Sequence, residues 1–190
     1  MHSIAIFASG NGTNAENLIH FFRNSDIAKV SILICNKETA GVVDKARKLN
    51  VPVFIADNEA CADGSTLISA LSERNIDWIV LAGFLRKVPQ NIIDAYRNRI
   101  INIHPALLPK FGGQGMYGRF VHEAVVTAQE KETGITIHLV NEEFDKGEIL
   151  GQFSVSLDPA DSAEAVALKV QELEHRHFPS EVERIIKTKS

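Results

Sequence analysis

Cysteine is scarce: Cys35 and Cys61 are the only two thiols in 190 residues. Neither belongs to a CxxC pair or pairs with a histidine at zinc spacing, which argues against a disulfide scaffold or a zinc module and fits a reduced, cytoplasmic protein. An excess of basic charge is missing as well, with 20 Lys and Arg against 24 Asp and Glu and a formal net charge of -4. A chain without a general positive field is not expected to bind nucleic acid through its phosphates, although one phosphate on a small molecule stays within reach. No apolar run approaches the roughly 20 residues that span a bilayer, and the N-terminus has no basic segment leading into a long apolar one. Neither a membrane nor a secretory route is expected. Repeats, low-complexity segments and linkers are also lacking. With 45% hydrophobic residues, the expectation is a single domain over residues 1–190.

What the chain does have is an alternation of short apolar runs and helical patterns. Residues 3–8, 30–35, 51–55, 78–84 and 100–104 read as strands. Helical spacing follows through Leu18, Ile19 and Phe22, then over residues 42–49, 66–74, 90–96 and 119–127. Residues 134–140 and 149–157 read as further strands, the last one antiparallel at the far side of the sheet. Asp161 to Glu164 opens a long helix, and Pro179 is expected to start or kink a final one whose basic end, residues 187–189, frays. Strands alternating with helices predict an α/β fold, a Rossmann-like doubly wound and mostly parallel sheet with helices on both faces. The ligand crevice of such a sheet lies beyond the carboxyl ends of its strands.

Three features fall at those ends. Residues 9–14 (Ser-Gly-Asn-Gly-Thr-Asn) join a strand to a helix, so glycines allow close backbone approach and the helix N-terminus offers unpaired N–H groups to an anion. Asn36 and Lys37 stand where a dinucleotide enzyme would carry an acidic residue for the ribose, which lowers a hydride-transfer reading and leaves a mononucleotide open. The strand at 100–104 runs straight into Pro105 and Pro109, with Asn102 and His104 two apart and therefore on one face. An amide and an imidazole fixed side by side are suited to a carbonyl oxygen that gains negative charge.

These segments, with residues 81–84 (Leu-Ala-Gly-Phe), 107–109, 134–138 and 145–147 (Asp-Lys-Gly), closely resemble the phosphoribosylglycinamide formyltransferase family. The resemblance spans nearly the whole chain in order. It implies one Rossmann-like formyltransferase domain, a phosphorylated amine substrate (phosphoribosylglycinamide) and 10-formyltetrahydrofolate as co-substrate, with no metal and no nucleic acid or membrane partner. By motif it implies that Asn102, His104 and Asp145 are catalytic. Gly12, Thr13, Asn14, Gln171 and Glu174 would hold the ribonucleotide, and Leu85, Arg86, Lys87, Val88, Asn141, Glu142 and Phe144 the folate. Asp145 would keep His104 protonated, and His138 reads more readily as structural than as part of the site. Ala106 stands where the family usually has Ser, the loop over residues 111–121 is longer and richer in glycine, and the family's arginine after the third strand has no match in residues 63–66. A formyltetrahydrofolate hydrolase, a formyltransferase acting on aminoacyl-tRNA and a non-catalytic nucleotide-binding protein are the rival readings. The first two would be expected to carry an extra domain.

Overall fold

The computed structural model describes residues 1–189. Seven strands form: β1 (His2–Ala8), β2 (Ala28–Cys35), β3 (Val53–Ile55), β4 (Trp78–Leu81), β5 (Ile100–His104), β6 (Glu132–Leu139) and β7 (Ile149–Ser156). Between and after them lie α1 (Thr13–Phe22), α2 (Gly41–Lys48), α3 (Asn58–Asp63), α4 (Ser65–Ser72), α5 (Gln90–Ala95), α6 (Arg119–Thr127) and α7 (Ala163–Lys189). The sheet order is β3-β2-β1-β4-β5-β6-β7. The first five strands pair parallel, whereas β6 as well as β7 is antiparallel to its neighbour.

Strand periodicity of two divides the core. Ile4, Ile6 and Ala8 share one apolar layer with Leu18 and Phe22 of α1 and Phe178 and Val182 of α7. Ala5 and Phe7 share the other with Leu67 and Leu71 of α4 and Ile92 of α5. Both faces of β1 are thus buried, which is why its sequence is a continuous apolar run rather than an alternating one. Each fully buried Ile, Leu or Phe contributes about 1.5–3 kcal/mol by leaving water.

Several expectations differ in detail. Residues 58–63, to which the sequence pattern assigns no element, form α3, which starts because the Asp57 side chain caps the Ala60 N–H at 2.8 Å. Pro179 neither starts nor ends a helix, since α7 runs through it. A proline at 179 cannot donate to the carbonyl of His175, and the Asn17 amide of α1 takes that acceptor instead at 2.8 Å. The basic end does not fray within the described residues, because Lys189 Nζ reaches the Glu148 carboxylate at 3.2 Å and Thr188 bonds back to the Arg184 carbonyl at 2.9 Å.

The carboxyl ends of β1, β4 and β5 meet at one edge. The Ser9 N–H donates to the Gly83 carbonyl at 3.0 Å and the Leu85 N–H donates to Ser9 Oγ at 2.9 Å, so the loops after β1 and β4 are tied together. Gly12 has φ +75°, and any Cβ there would overlap the Val42 side chain. That position therefore requires glycine for its backbone angle and for the close approach of α2.

Candidate active site

A cavity of about 820 Å³ opens at this edge. Every residue expected at the site lines it, from Gly12, Thr13 and Asn14 to Leu85, Arg86, Lys87 and Val88, Asn102 and His104, Asn141, Glu142, Phe144 and Asp145, and Gln171 and Glu174.

The register of the sheet explains the central group. Asn102 pairs directly with His138 and His104 with Thr136 across β5 and β6, so all four side chains project from one face. His138 Nδ1 lies 2.8 Å from the Leu139 carbonyl, which can only accept, so that nitrogen carries the proton and Nε2 is left to accept from Asn102 Nδ2 at 3.1 Å. A primary amide has a second N–H, which Asn102 can offer to a ligand in the cavity. His138 thus lines the cavity and fixes the orientation of the Asn102 amide. The signal was the polar face of β6, where Thr136 and His138 alternate with buried isoleucines.

His104 is only 3% exposed. Its Nε2–H donates to the Phe111 carbonyl at 2.8 Å, and its Nδ1 lies 3.5 Å from Asp145 Oδ2. Asp145 Oδ1 lies 3.6 Å from His138 Nε2, and Oδ2 accepts from the Gly113 N–H at 2.9 Å. The two acceptors that face the His104 ring both come from residues with left-handed backbone, Phe111 at φ +56° and Asp145 at φ +55°. For a bulky residue such as Phe111 that conformation costs about 1–2 kcal/mol, so the surrounding structure must hold it.

Burial pushes the His104 imidazole below its usual value and outweighs the Asp145 charge and the Phe111 carbonyl, which both raise it, while His138 lowers it further. Burial would also push the Asp145 carboxyl up, but the His138 ring, the His104 charge and the Gly113 N–H hold it below the usual carboxylate range.

Around α1 the N-terminus has no side-chain cap, leaving the first-turn N–H groups to the cavity. Asn14 Nδ2 donates to Glu174 Oε2 at 2.8 Å and Gln171 Nε2 to Thr13 Oγ1 at 3.3 Å, so α7 is tied to this turn. Burial pushes the Glu174 carboxyl up against the lowering effect of Asn14, and the Asn14 Oδ1 atom is buried with no partner. At the wall formed after β4, Leu85 is exposed and Val88 buried. Lys87 Nζ stands 5.8 Å from the Phe144 ring centroid, and Arg86 donates to Asn58 Oδ1 at 2.6 Å. Glu142 is engaged by Arg97 at 3.0 Å and Asn141 Oδ1 accepts from the Glu143 N–H at 3.0 Å. These two side chains hold the 141–145 turn together.

A model of the formyl transferase family matches residues 2–182. The chain belongs to the formyl transferase family. It is 31% identical over 191 residues to the phosphoribosylglycinamide formyltransferase of Bacillus subtilis, covering 98% of this chain and 95% of the relative. It is 38% identical to the chloroplastic phosphoribosylglycinamide formyltransferase of Arabidopsis thaliana over 92% of this chain. The chain spans 62% and 60% of the length of that relative and of the Vigna unguiculata one. Among solved structures, the phosphoribosylglycinamide formyltransferase of Bacillus halodurans superposes with a TM-score of 0.89 at 36% identity, covering 99% of this chain and 97% of that one. The Rossmann-like architecture is thus shared with formyltransferases at both sequence and fold level. No helix among the described residues is long and apolar enough to cross a membrane.

Proposed function

We propose that this formyltransferase-family chain transfers the formyl group of 10-formyltetrahydrofolate to the amine of 5'-phosphoribosylglycinamide, a step of purine biosynthesis. The observation that carries the reading is the single cavity that joins an uncapped helix N-terminus to the Asn102, His138, Asp145 and His104 chain. The α1 turn binds the phosphate through the N–H groups of its first residues, with Thr13 adding a hydroxyl. Glu174, fixed by Asn14, accepts from the ribose hydroxyls. Leu85, Val88 and Phe144 offer apolar surface to a flat heteroaromatic ring, and Arg86 and Lys87 offer positive charge to the carboxylates of a folate.

In this mechanism the amine nitrogen attacks the formyl carbon directly. Asn102 donates to the formyl oxygen as it becomes anionic. The proton that the amine loses is taken at His104 Nδ1, which is free because Nε2 carries the other proton, and Asp145 stabilises the imidazolium that results. His104 then returns that proton to the folate nitrogen as its bond to the formyl carbon breaks. The products are the formylated amide and tetrahydrofolate, with no covalent enzyme intermediate.

Calorimetric titration with each ligand alone tests the binding half of this reading. Both a ribonucleotide and a folate analogue are expected to bind, whereas a nucleotide sensor would bind only the former. Replacing Glu174 with Gln is expected to raise KM for the ribonucleotide by roughly 10- to 100-fold, the worth of a hydrogen bond to a charged group of about 1.5–3 kcal/mol, and to leave KM for the folate unchanged. Inorganic phosphate is expected to inhibit competitively against the ribonucleotide and not against the folate. Competition against the folate instead would place the anion site elsewhere.

A further inference from the structure

One hydroxyl outside the site residues is bonded to both sides of the chain that follows His104. Thr136 is fully buried and lies directly opposite His104 in the β5–β6 pairing. Its Oγ1 donates to the Ala106 carbonyl at 2.7 Å, accepts from the Leu108 N–H at 2.9 Å, and accepts from Gln152 Nε2 at 2.9 Å. A hydroxyl has one proton and two lone pairs, and here all three are used. The Gln152 amide lies 2.9 Å from the Leu108 carbonyl as well, so β7 supports the same short segment.

That segment leads to Phe111, whose left-handed backbone turns its carbonyl onto His104 Nε2 at 2.8 Å. The excursion from His104 to Phe111 is therefore closed at its far end by the His104 ring and pinned in its middle by Thr136. The Thr136 hydroxyl thus ties residues 106 and 108 together from the polar face of β6. We propose that Thr136, supported by Gln152, is the positioning residue for His104: it holds the chain that aims the Phe111 carbonyl, and so keeps the His104 proton on Nε2 and Nδ1 open towards Asp145. The inference rests on the reading of His104 as the group that moves the proton.

The consequence for pH follows from the groups that face His104. Asp145 from the turn after β6 raises its proton affinity, as does the Phe111 carbonyl, and His138 of β6 lowers it. His122 of α6, itself pushed down by burial and by His104, adds no stabilisation to the charged form. Loosening the Phe111 carbonyl therefore shifts the His104 titration to lower pH.

The test compares Thr136→Val, Thr136→Ser and Gln152→Leu in the full chain. Thr136→Val is expected to lower kcat by at least tenfold, leave both KM values within about threefold, and move the acid limb of the kcat profile to lower pH; Thr136→Ser is expected to restore all three. Gln152→Leu, at an exposed position of β7, is expected to move the acid limb in the same direction by a smaller amount, and it serves where the valine variant does not fold. Nitrogen-15 chemical shifts of the His104 ring read the tautomer without turnover. They are expected to show protonated Nε2 in the parent chain and a mixture in Thr136→Val and Gln152→Leu. An unchanged tautomer and acid limb in the folded variants would overturn the proposal, as would a serine variant as impaired as the valine one. A parent chain that shows the Nε2 tautomer but transfers no formyl group would instead overturn the functional reading.

Discussion

Replacing His104 with alanine is expected to lower kcat by about 10²- to 10⁴-fold, the usual worth of a positioned acid–base group, with KM for the ribonucleotide nearly unchanged. The ring is buried and makes no hydrogen bond to the phosphate turn of α1, so its interactions with the substrate form as the proton moves rather than when the ligand binds. The pH dependence carries a sign. A base must be unprotonated to act, so kcat rises with pH through the His104 titration, and burial places that titration below the usual 6.5. Activity is thus expected to be retained on the acid side of 6.5 and lost only further down. Asp145→Asn removes the charge that raises the proton affinity of His104. It is expected to lower the plateau rate and also to move the acid limb to still lower pH. An acid limb that moved upward in Asp145→Asn would show that a different group titrates.

Asn102→Ala is expected to lower kcat by about 10²- to 10³-fold, equivalent to about 2.7–4 kcal/mol of lost stabilisation of the developing oxyanion. The same change leaves His138 Nε2 without its donor at 3.1 Å, so the effect has a structural share. Asn102→Asp separates the two. It keeps the size of the side chain but removes the N–H groups and adds a second carboxylate beside Asp145. If the amide acts as an oxyanion donor, Asn102→Asp is expected to be at least as impaired as Asn102→Ala, whereas a role limited to filling space would leave it nearly active. Measured kcat and KM for both variants, with melting temperature to check folding, decide between these outcomes.

The parts of the fold that were legible in the sequence are those in which local pattern and tertiary environment agree. The apolar runs of β1, β2, β4 and β5 are buried on both faces, and the alternation of helices between them leaves few topologies open. Placing the Gly10 loop and Asn102 with His104 on one edge needed only that rule. That Pro179 starts no new helix was not legible because its cost is offset at long range: the His175 carbonyl finds Asn17, 158 residues away in the sequence. The contact of His138 with Asn102 was not legible for the same reason, since only the β5–β6 register reveals that the two stand opposite each other. The protonation state of His104 was the least legible feature. Spacing shows that a carboxylate is available, but the balance between its charge and the loss of water depends on how deeply the ring is buried. Thr136 shared with His138 only the signal of a polar strand face, because a threonine in a strand is ordinary and its hydroxyl acquires meaning only from the loop folded over it.

The central claim is transfer of a formyl group to an amine rather than to water, and it is tested most directly by following both substrates at once. Purified protein is mixed with 10-formyltetrahydrofolate, with and without 5'-phosphoribosylglycinamide, and loss of the folate formyl group is compared with formation of the formylated ribonucleotide. The result expected is loss that depends on the amine and matches product one for one, with no appreciable loss when the amine is omitted. Loss at the same rate without the amine, with formate as product, would contradict the account and mark the site as one that uses water.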